Sequence, residues 1–217
     1  MLQFKSFLDE GKNDPAIFKV IFMAGGPGSG KSTIAHMLGL HALGFVSINS
    51  DAAFEQGLKK SLLSLKMPEG EEYARNIVRG LAKKTTKRKQ GHAVEGRLGM
   101  VIDGTGKDLG KIKRQVKSLE QLGYEASMVF VDTTLDAALG RNEERDRSLN
   151  PKMVTSQWKG VQKNKGSFKK LFGNRLWVID NTNYEVSGIQ TNKVYTKIMS
   201  WAKDLPDNPA VKHWMET

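Results

Sequence analysis

The stretch Phe18–Thr33, FKVIFMAGGPGSGKST, limits the possible folds of this 217-residue chain more than any other. Apart from Lys19, Phe18–Ala24 is an apolar run, the pattern of a strand buried on both faces. Gly25–Ser32 then fits G-x-x-x-x-G-K-S, a phosphate-binding loop between strand and helix. Gly25, Gly26, Gly28 and Gly30 are expected to let the backbone turn through positive φ and aim successive N–H groups inward. With the helix that starts near Lys31, those groups make a cradle for anionic phosphates. The expected binding set is Gly25, Gly26, Pro27, Gly28, Ser29, Gly30, Lys31, Ser32 and Thr33. Lys31 would reach the β- and γ-phosphates and the Ser32 hydroxyl would ligate Mg²⁺. A plain glycine-rich turn is the alternative. A complete motif, with a strand before it and Ile34–Leu38 in helical pattern after it, argues for a bound nucleoside triphosphate instead.

Composition narrows the setting. Cysteine is absent, so there is neither a disulfide framework nor a thiolate zinc site, and a cytoplasmic, reducing setting is expected. No apolar run approaches the ~20 residues of a membrane span, and the N-terminus lacks a signal-peptide core. The net charge is +11, more than a phosphate-handling site needs, which points to a polyanionic partner, most simply nucleic acid. A lysine-rich solvated surface is the competing explanation.

Strands alternating with helices imply an α/β fold: a five-stranded parallel sheet with right-handed crossovers and helices on both faces. The expected strands are Phe18–Ala24, Phe45–Asn49, Leu98–Asp103, Ala126–Val131 and Leu176–Ile179. A short N-terminal helix is expected within residues 1–15. Other helices are expected at Lys31–His41, Ala52–Lys66, Glu71–Gly91, Lys111–Leu122, Leu135–Asp146, Pro151–Lys163 and Val194–Lys203. Asn164–Asn174 reads as a basic irregular segment, Asp180–Ser187 as a polar loop, and 206–217 as a tail. Residues 52–91 exceed what one crossover needs and are expected to form a helical acceptor-binding insert in a single domain.

Five groups of residues carry candidate chemistry. Asp51, at the carboxyl end of the second strand, is placed to take a proton from a hydroxyl or to cap the helix that follows. Asp103 ends a Met-Val-Ile-Asp strand, the form of a carboxylate that supports Mg²⁺, and is expected to support the metal or the acceptor; Asp132 ends a competing strand. Thr105 is either a contact to the acceptor or a phosphate, or an ordinary turn residue. Arg141, Arg145 and Arg147 either close over a transferred phosphoryl group, in a lid spanning 141–165, or pair with Glu143, Glu144 and Asp146. Arg75, Arg79, Lys83 and Lys87 recur every four residues, either as a stripe for a phosphate backbone or as a solvated face. Asn181–Tyr184 would border the adenine on fold analogy. The four histidines show no metal spacing.

Taken together, these residues make Phe18–Lys163 resemble the P-loop kinases of the phage-type polynucleotide kinase and zeta-toxin group. The polynucleotide kinases carry G-x-P-G-S-G-K-S-T, as at Gly25–Thr33, then G-F-x-x-I-N-x-D, as at Gly44–Asp51. Their lid reads Arg-Asn-x-x-Arg, as at Arg141–Arg145, and a later strand ends in Asp, as at Asp103. The Gly104-Thr105 pair also looks like the E-G-T loop of zeta toxins, with Asp103 in place of the glutamate. The resemblance implies ATP and Mg²⁺ as donor and cofactor, Asp51 as general base, Arg141 and Arg145 as lid arginines, and a hydroxyl on nucleic acid, DNA foremost, as acceptor. That hydroxyl would be a polynucleotide 5′-hydroxyl or the hydroxymethyl group of a modified base. Two departures bear on the acceptor. The family has a second Asp after the base and an Arg three residues after it; here those positions are Ala52 and Phe54, which implies a less polar acceptor pocket. A kinase of a nucleotide sugar or small metabolite, and a nucleic-acid-binding NTPase switch, are the alternative functions.

Overall fold

A computed structural model describes residues 14–65, 68, 70–144 and 148–216. Within them, five strands form one parallel sheet: β1 (Lys19–Ala24), β2 (Val46–Ile48), β3 (Met100–Asp103), β4 (Glu125–Asp132) and β5 (Leu176–Asp180). Their order across the sheet is β2-β3-β1-β4-β5. The apolar strand that leads into the phosphate loop is therefore central, as its two-sided burial requires. Its side chains alternate between faces with period two. Val20, Phe22 and Ala24 join one core, and Ile21 and Met23 the other.

Helices cover both faces. On the first lie α4 (Leu109–Glu120), α6 (Pro151–Phe172) and α8 (Pro209–Glu216), contributing Ile112, Val116, Val161, Phe168, Phe172 and Val211. On the second lie α1 (Lys31–Met37) and α7 (Tyr184–Lys203), contributing Ile34, Leu38, Val194, Ile198 and Ala202. α5 (Leu135–Glu143) follows β4 and leads towards α6. The segment between β2 and β3 holds α2 (Ser50–Lys60) and α3 (Glu72–Glu95), which pack on each other through Phe54, Leu58, Val78 and Ala82. They approach so closely at Gly57 that an added Cβ would sit 2.5 Å from Val78 Cγ1. The expected insert thus has a small core separate from the two that sandwich the sheet. Among the described residues, no helix is long and apolar enough to cross a membrane.

Several boundaries differ from the sequence expectations. α6 runs on through the segment expected to be irregular after Lys163, because Phe168 and Phe172 continue the buried line of Val154 and Val161. α7 begins at Tyr184 rather than Val194. Ser187 and Thr191 occupy its buried side, and the Thr191 hydroxyl donates to Ser187 O at 2.6 Å, so polar residues hid the helical period. The expected tail contains α8, capped by Asn208 Oδ1 accepting from Ala210 N; its Trp214 packs edge-on against Phe18 at 5.4 Å. α1 and α2 stop early, at Met37 and Lys60, whereas α3 extends to Glu95. The expected N-terminal helix lies outside the described residues.

Candidate active site

The carboxyl ends of β1, β2 and β3 converge on the loop after β1. Gly25, Gly28 and Gly30 take φ of 154°, 76° and 81°, where L side chains are strained. A Cβ on Gly28 would lie 2.1 Å from Ala138 O, and one on Gly30 2.2 Å from Asn181 Nδ2. Gly26 differs from the expectation: its φ is not positive, and its small size instead admits Trp158, 3.4 Å from where a Cβ would stand. The loop is held on several sides. Gly25 N donates to Thr105 O at 3.0 Å. Asn181 Nδ2, buried, donates to Ser29 O at 2.8 Å. Trp158 Nε1 donates to Thr133 O at 2.9 Å, fixing the indole against Gly26. A loop pinned in this way keeps its amides oriented without a ligand.

Lys31 opens α1 and folds back over the loop, its Nζ donating to Gly25 O at 2.8 Å and more weakly to Gly26 O at 3.4 Å. Lys31 and Ser32 border two cavities. The smaller, about 280 Å³, is closed by Gly28, Gly30, Thr33, Arg141 and Asn181. The larger, about 740 Å³, takes in Asp51, Glu55, Arg79, Asp103, Thr105 and Gln157.

Asn49 organises the two carboxylates. Its Oδ1 caps α2 by accepting from Asp51 N at 2.7 Å, and its Nδ2 donates to Asp103 Oδ2 at 2.8 Å. The capping role that competed for Asp51 therefore belongs to Asn49. The Asp51 side chain is 63% exposed and lies at the cavity, with Oδ1 4.0 Å from Arg79 Nη1. Arg79 in turn stacks over the Phe54 ring, 3.9 Å from its centroid. Phe54, where the resemblance implied loss of a cation, is thus the platform for one supplied by α3.

Asp103 sits beside β1 in register with Met23. Burial pushes its carboxyl above the ordinary range; the nearby Asp51 charge adds to this and Lys31 opposes it. Its Oδ1 is buried with no hydrogen-bond partner among the described residues. Such an acceptor fits a cation ligand, with Ser32 in the same cavity. Asp132, its competitor, is already engaged by Lys165 Nζ at 2.6 Å, Gln162 Nε2 at 2.6 Å and Thr133 N at 3.0 Å.

The remaining expected site residues divide. Arg141 borders the smaller cavity, with Nη2 donating to Thr182 O at 3.3 Å. Arg145 and Arg147 lie outside the described residues. Asn142 exchanges two hydrogen bonds with Leu149, at 2.8 and 3.0 Å, tying together the ends of the segment between α5 and α6. Thr105 borders the larger cavity, whereas Lys83 is exposed on α3 outside it. Arg75 turns away from Asp51 to bond Pro68 O and Glu72. Asn49, Trp158 and the structural task of Asn181 were not anticipated. Only Asn49 had a local signal, an Asn directly before a helix.

A family model described as AAA domain matches residues 20–165. No curated protein sequence matches the chain. Solved structures share its fold at low identity. One is from the Pnkp1/Rnl/Hen1 RNA repair complex, with TM-score 0.54 and 18% identity over 69% of this chain. This chain spans just under half, 46%, of that one. Another comes from the PezAT chromosomal toxin-antitoxin system of Streptococcus pneumoniae, with TM-score 0.55 and 15% identity over 93% of each chain. A third is AvrRxo1-ORF1:-ORF2 with ATP, with TM-score 0.57 and 14% identity over 94% of this chain and 73% of that one.

Proposed function

This chain belongs to the AAA domain family, and we propose that it is an ATP-dependent kinase that transfers the γ-phosphoryl group to an alcohol carried by a nucleic acid. The observation that carries the reading is the Asp51 carboxylate in one cavity with Lys31, Ser32 and Asp103, at the start of a helix that Asn49 caps. A nucleotide switch has no need of an acceptor-side carboxylate there; a kinase does. A solved neighbour with ATP bound supports the donor. One from an RNA repair complex, together with the net charge of +11, supports the acceptor class.

In this reading the loop amides and Lys31 hold the β- and γ-phosphates. Asp51 accepts the proton as the alcohol oxygen bonds to the γ-phosphorus and the bond to the β–γ bridging oxygen breaks, leaving ADP. Arg141 approaches from the smaller cavity, and Arg145 is the second lid arginine of this reading. Asp103 and Ser32 would hold Mg²⁺, which when bound neutralises charge building on the phosphoryl oxygens. The acceptor hydroxyl is a polynucleotide 5′-hydroxyl or a hydroxymethyl group on a base. A small-metabolite acceptor remains the second reading, favoured by a cavity of about 740 Å³, a size that encloses a free nucleotide sugar.

Labelled ATP offered with DNA, RNA, hydroxymethylated DNA and nucleotide sugars, followed by digestion and mass spectrometry, locates any added phosphate. Asp51→Asn is expected to lower turnover by roughly 10²–10⁴-fold while ATP still binds. Near-normal transfer by Asp51→Asn would remove the general-base role. ATP hydrolysis stimulated by nucleic acid with no phosphorylated product would favour the switch.

A further inference from the structure

α3 runs outward from the reacting cavity, and its charges are not balanced within the protein. Arg79 stands at the inner end, at the cavity wall. Lys83 and Lys87 follow at successive turns, so the three span about 12 Å along the helix. Lys84, Arg88 and Lys89 crowd the same half of it. Lys83, Lys84, Lys87, Arg88 and Lys89 are all exposed, and among the described residues none has an acidic partner. By contrast Arg75, one turn before Arg79, is tied to Glu72 and Pro68 O. Among the described residues the exposed cations with no acidic partner therefore start at Lys83, one turn beyond Arg79, which pairs with Asp51 at the cavity wall.

The outer flank of the same helix is apolar. Tyr73, Ile77 and Leu81, again one turn apart, are 82%, 51% and 60% exposed. Water alone does not select Tyr, Ile and Leu at such positions, and a purely solvated basic face would not carry them. Cations beside an exposed aromatic and apolar line are what a single strand of nucleic acid requires: charge for its phosphates and flat apolar surface for its bases.

We infer that α3 is a rail for a nucleic-acid strand, with Arg79 holding the phosphate nearest the acceptor hydroxyl beside Asp51 and Lys83 and Lys87 holding the next ones outward. The position of the inner end rests on the kinase reading; the rail itself is tested by binding alone. It sets a footprint: a mononucleotide reaches only Arg79, and longer strands gain contacts until they pass Lys87.

Binding of fluorescent single-stranded oligonucleotides, from a dinucleotide upward, is measured by anisotropy across a range of salt. Affinity is expected to rise with length and then level off. Lys83→Gln with Lys87→Gln should weaken a long strand roughly tenfold and flatten the log–log salt dependence by about 0.7 per charge removed. Lys113→Gln with Lys117→Gln on α4 removes the same charge elsewhere and should leave both readouts unaltered. Gly80 lies on α3 between the two lines, with nothing within 4 Å of an added Cβ. Gly80→Gln should therefore fold normally by circular dichroism and melting yet weaken the long strand several-fold. The rail is overturned if the α4 pair costs as much as the α3 pair, if the salt slope does not change, or if polyglutamate competes as well as an oligonucleotide. Length-dependent binding through α3 with no phosphate transferred to any nucleic acid would sink the acceptor assignment and leave the rail standing.

Discussion

At Asp103 burial raises the carboxyl pKa above its ordinary 3.8, so the folded protein holds a proton there that the unfolded chain has released. Folding takes up a proton in the window that opens at 3.8 and closes at the raised value. Stability is therefore lost as pH rises through that window, and the loss is complete above it. Asp103→Asn removes the buried charge and keeps an oxygen for Asn49 Nδ2, which donates to Oδ2 at 2.8 Å. The variant should melt higher than the parent at neutral pH without metal, and the gain should vanish below pH 3.8. Mg²⁺-dependent turnover should nevertheless fall by roughly a hundredfold. Calorimetry across pH beside a Mg²⁺ titration of activity checks both signs. A variant that melts lower and turns over normally would make Asp103 a structural acid. At Arg79 the lesson is different, because its cation is held near Asp51 by a ring that belongs to another helix.

Among the elements, the α2–α3 pair stands apart in how it is held. Its buried cluster of Phe54, Leu58, Val78 and Ala82 is separate from the two cores of the sheet. A separate cluster lets α2 and the part of α3 around Val78 and Ala82 open without unfolding the rest, while Ala93, further along α3, is anchored in the first sheet core. Phe54→Ala is expected to cost about 3–5 kcal/mol within that cluster and to take the platform from under Arg79. Hydrogen exchange should quicken in Ser50–Lys60 and in α3 around Val78 and Ala82 while the Ala93 end of α3, β1 and β4 stay protected. Uniform loss of protection across the sheet would show that the pair is instead part of one cooperative unit. The phosphate loop is the opposite case: Ala138, Trp158 and Asn181 brace it from α5, α6 and the end of β5, so its geometry is only as sound as the sheet.

Across the whole molecule, a buried ion pair and the candidate site lie at opposite ends of the sheet. Lys19, 1% exposed at the first position of β1, meets Glu125 Oε2 at 2.6 Å. Trp201 Nε1 and Arg175 Nη1 also donate to the Glu125 carboxylate, at 2.6 and 3.1 Å. Burial pulls the Lys19 ammonium below its ordinary range, and Glu125 opposes that. Glu125→Gln would leave a buried cation without its counter-charge and is expected to destabilise the fold by about 3 kcal/mol. Turnover per folded molecule should not change, since the loop and its carboxylates lie at the other end of β1. Urea unfolding paired with active-site titration separates the two; a turnover loss larger than the folded-fraction loss would contradict the separation.

Local chemistry let the sequence alone specify the phosphate loop, the alternation of strands and helices, and the carboxylates at strand ends. A glycine pattern, a period and a strand terminus are properties of neighbouring residues. The same locality explains the errors at α7 and α8, where polar residues on a buried face, or a short helix closed by one distant aromatic, broke the pattern, and at α6, where Phe168 and Phe172 carry the buried line through a basic stretch. Tertiary structure decided the rest. It engaged Asp132 with Gln162 and Lys165, thirty or more residues along the chain, and left Asp103 Oδ1 buried with no hydrogen-bond partner among the described residues. It gave the α2 cap to Asn49 rather than to Asp51, and it set Arg79 of α3 on Phe54 of α2. Each choice depends on which groups share a low-dielectric space, and that is settled by packing between segments rather than by order along the chain.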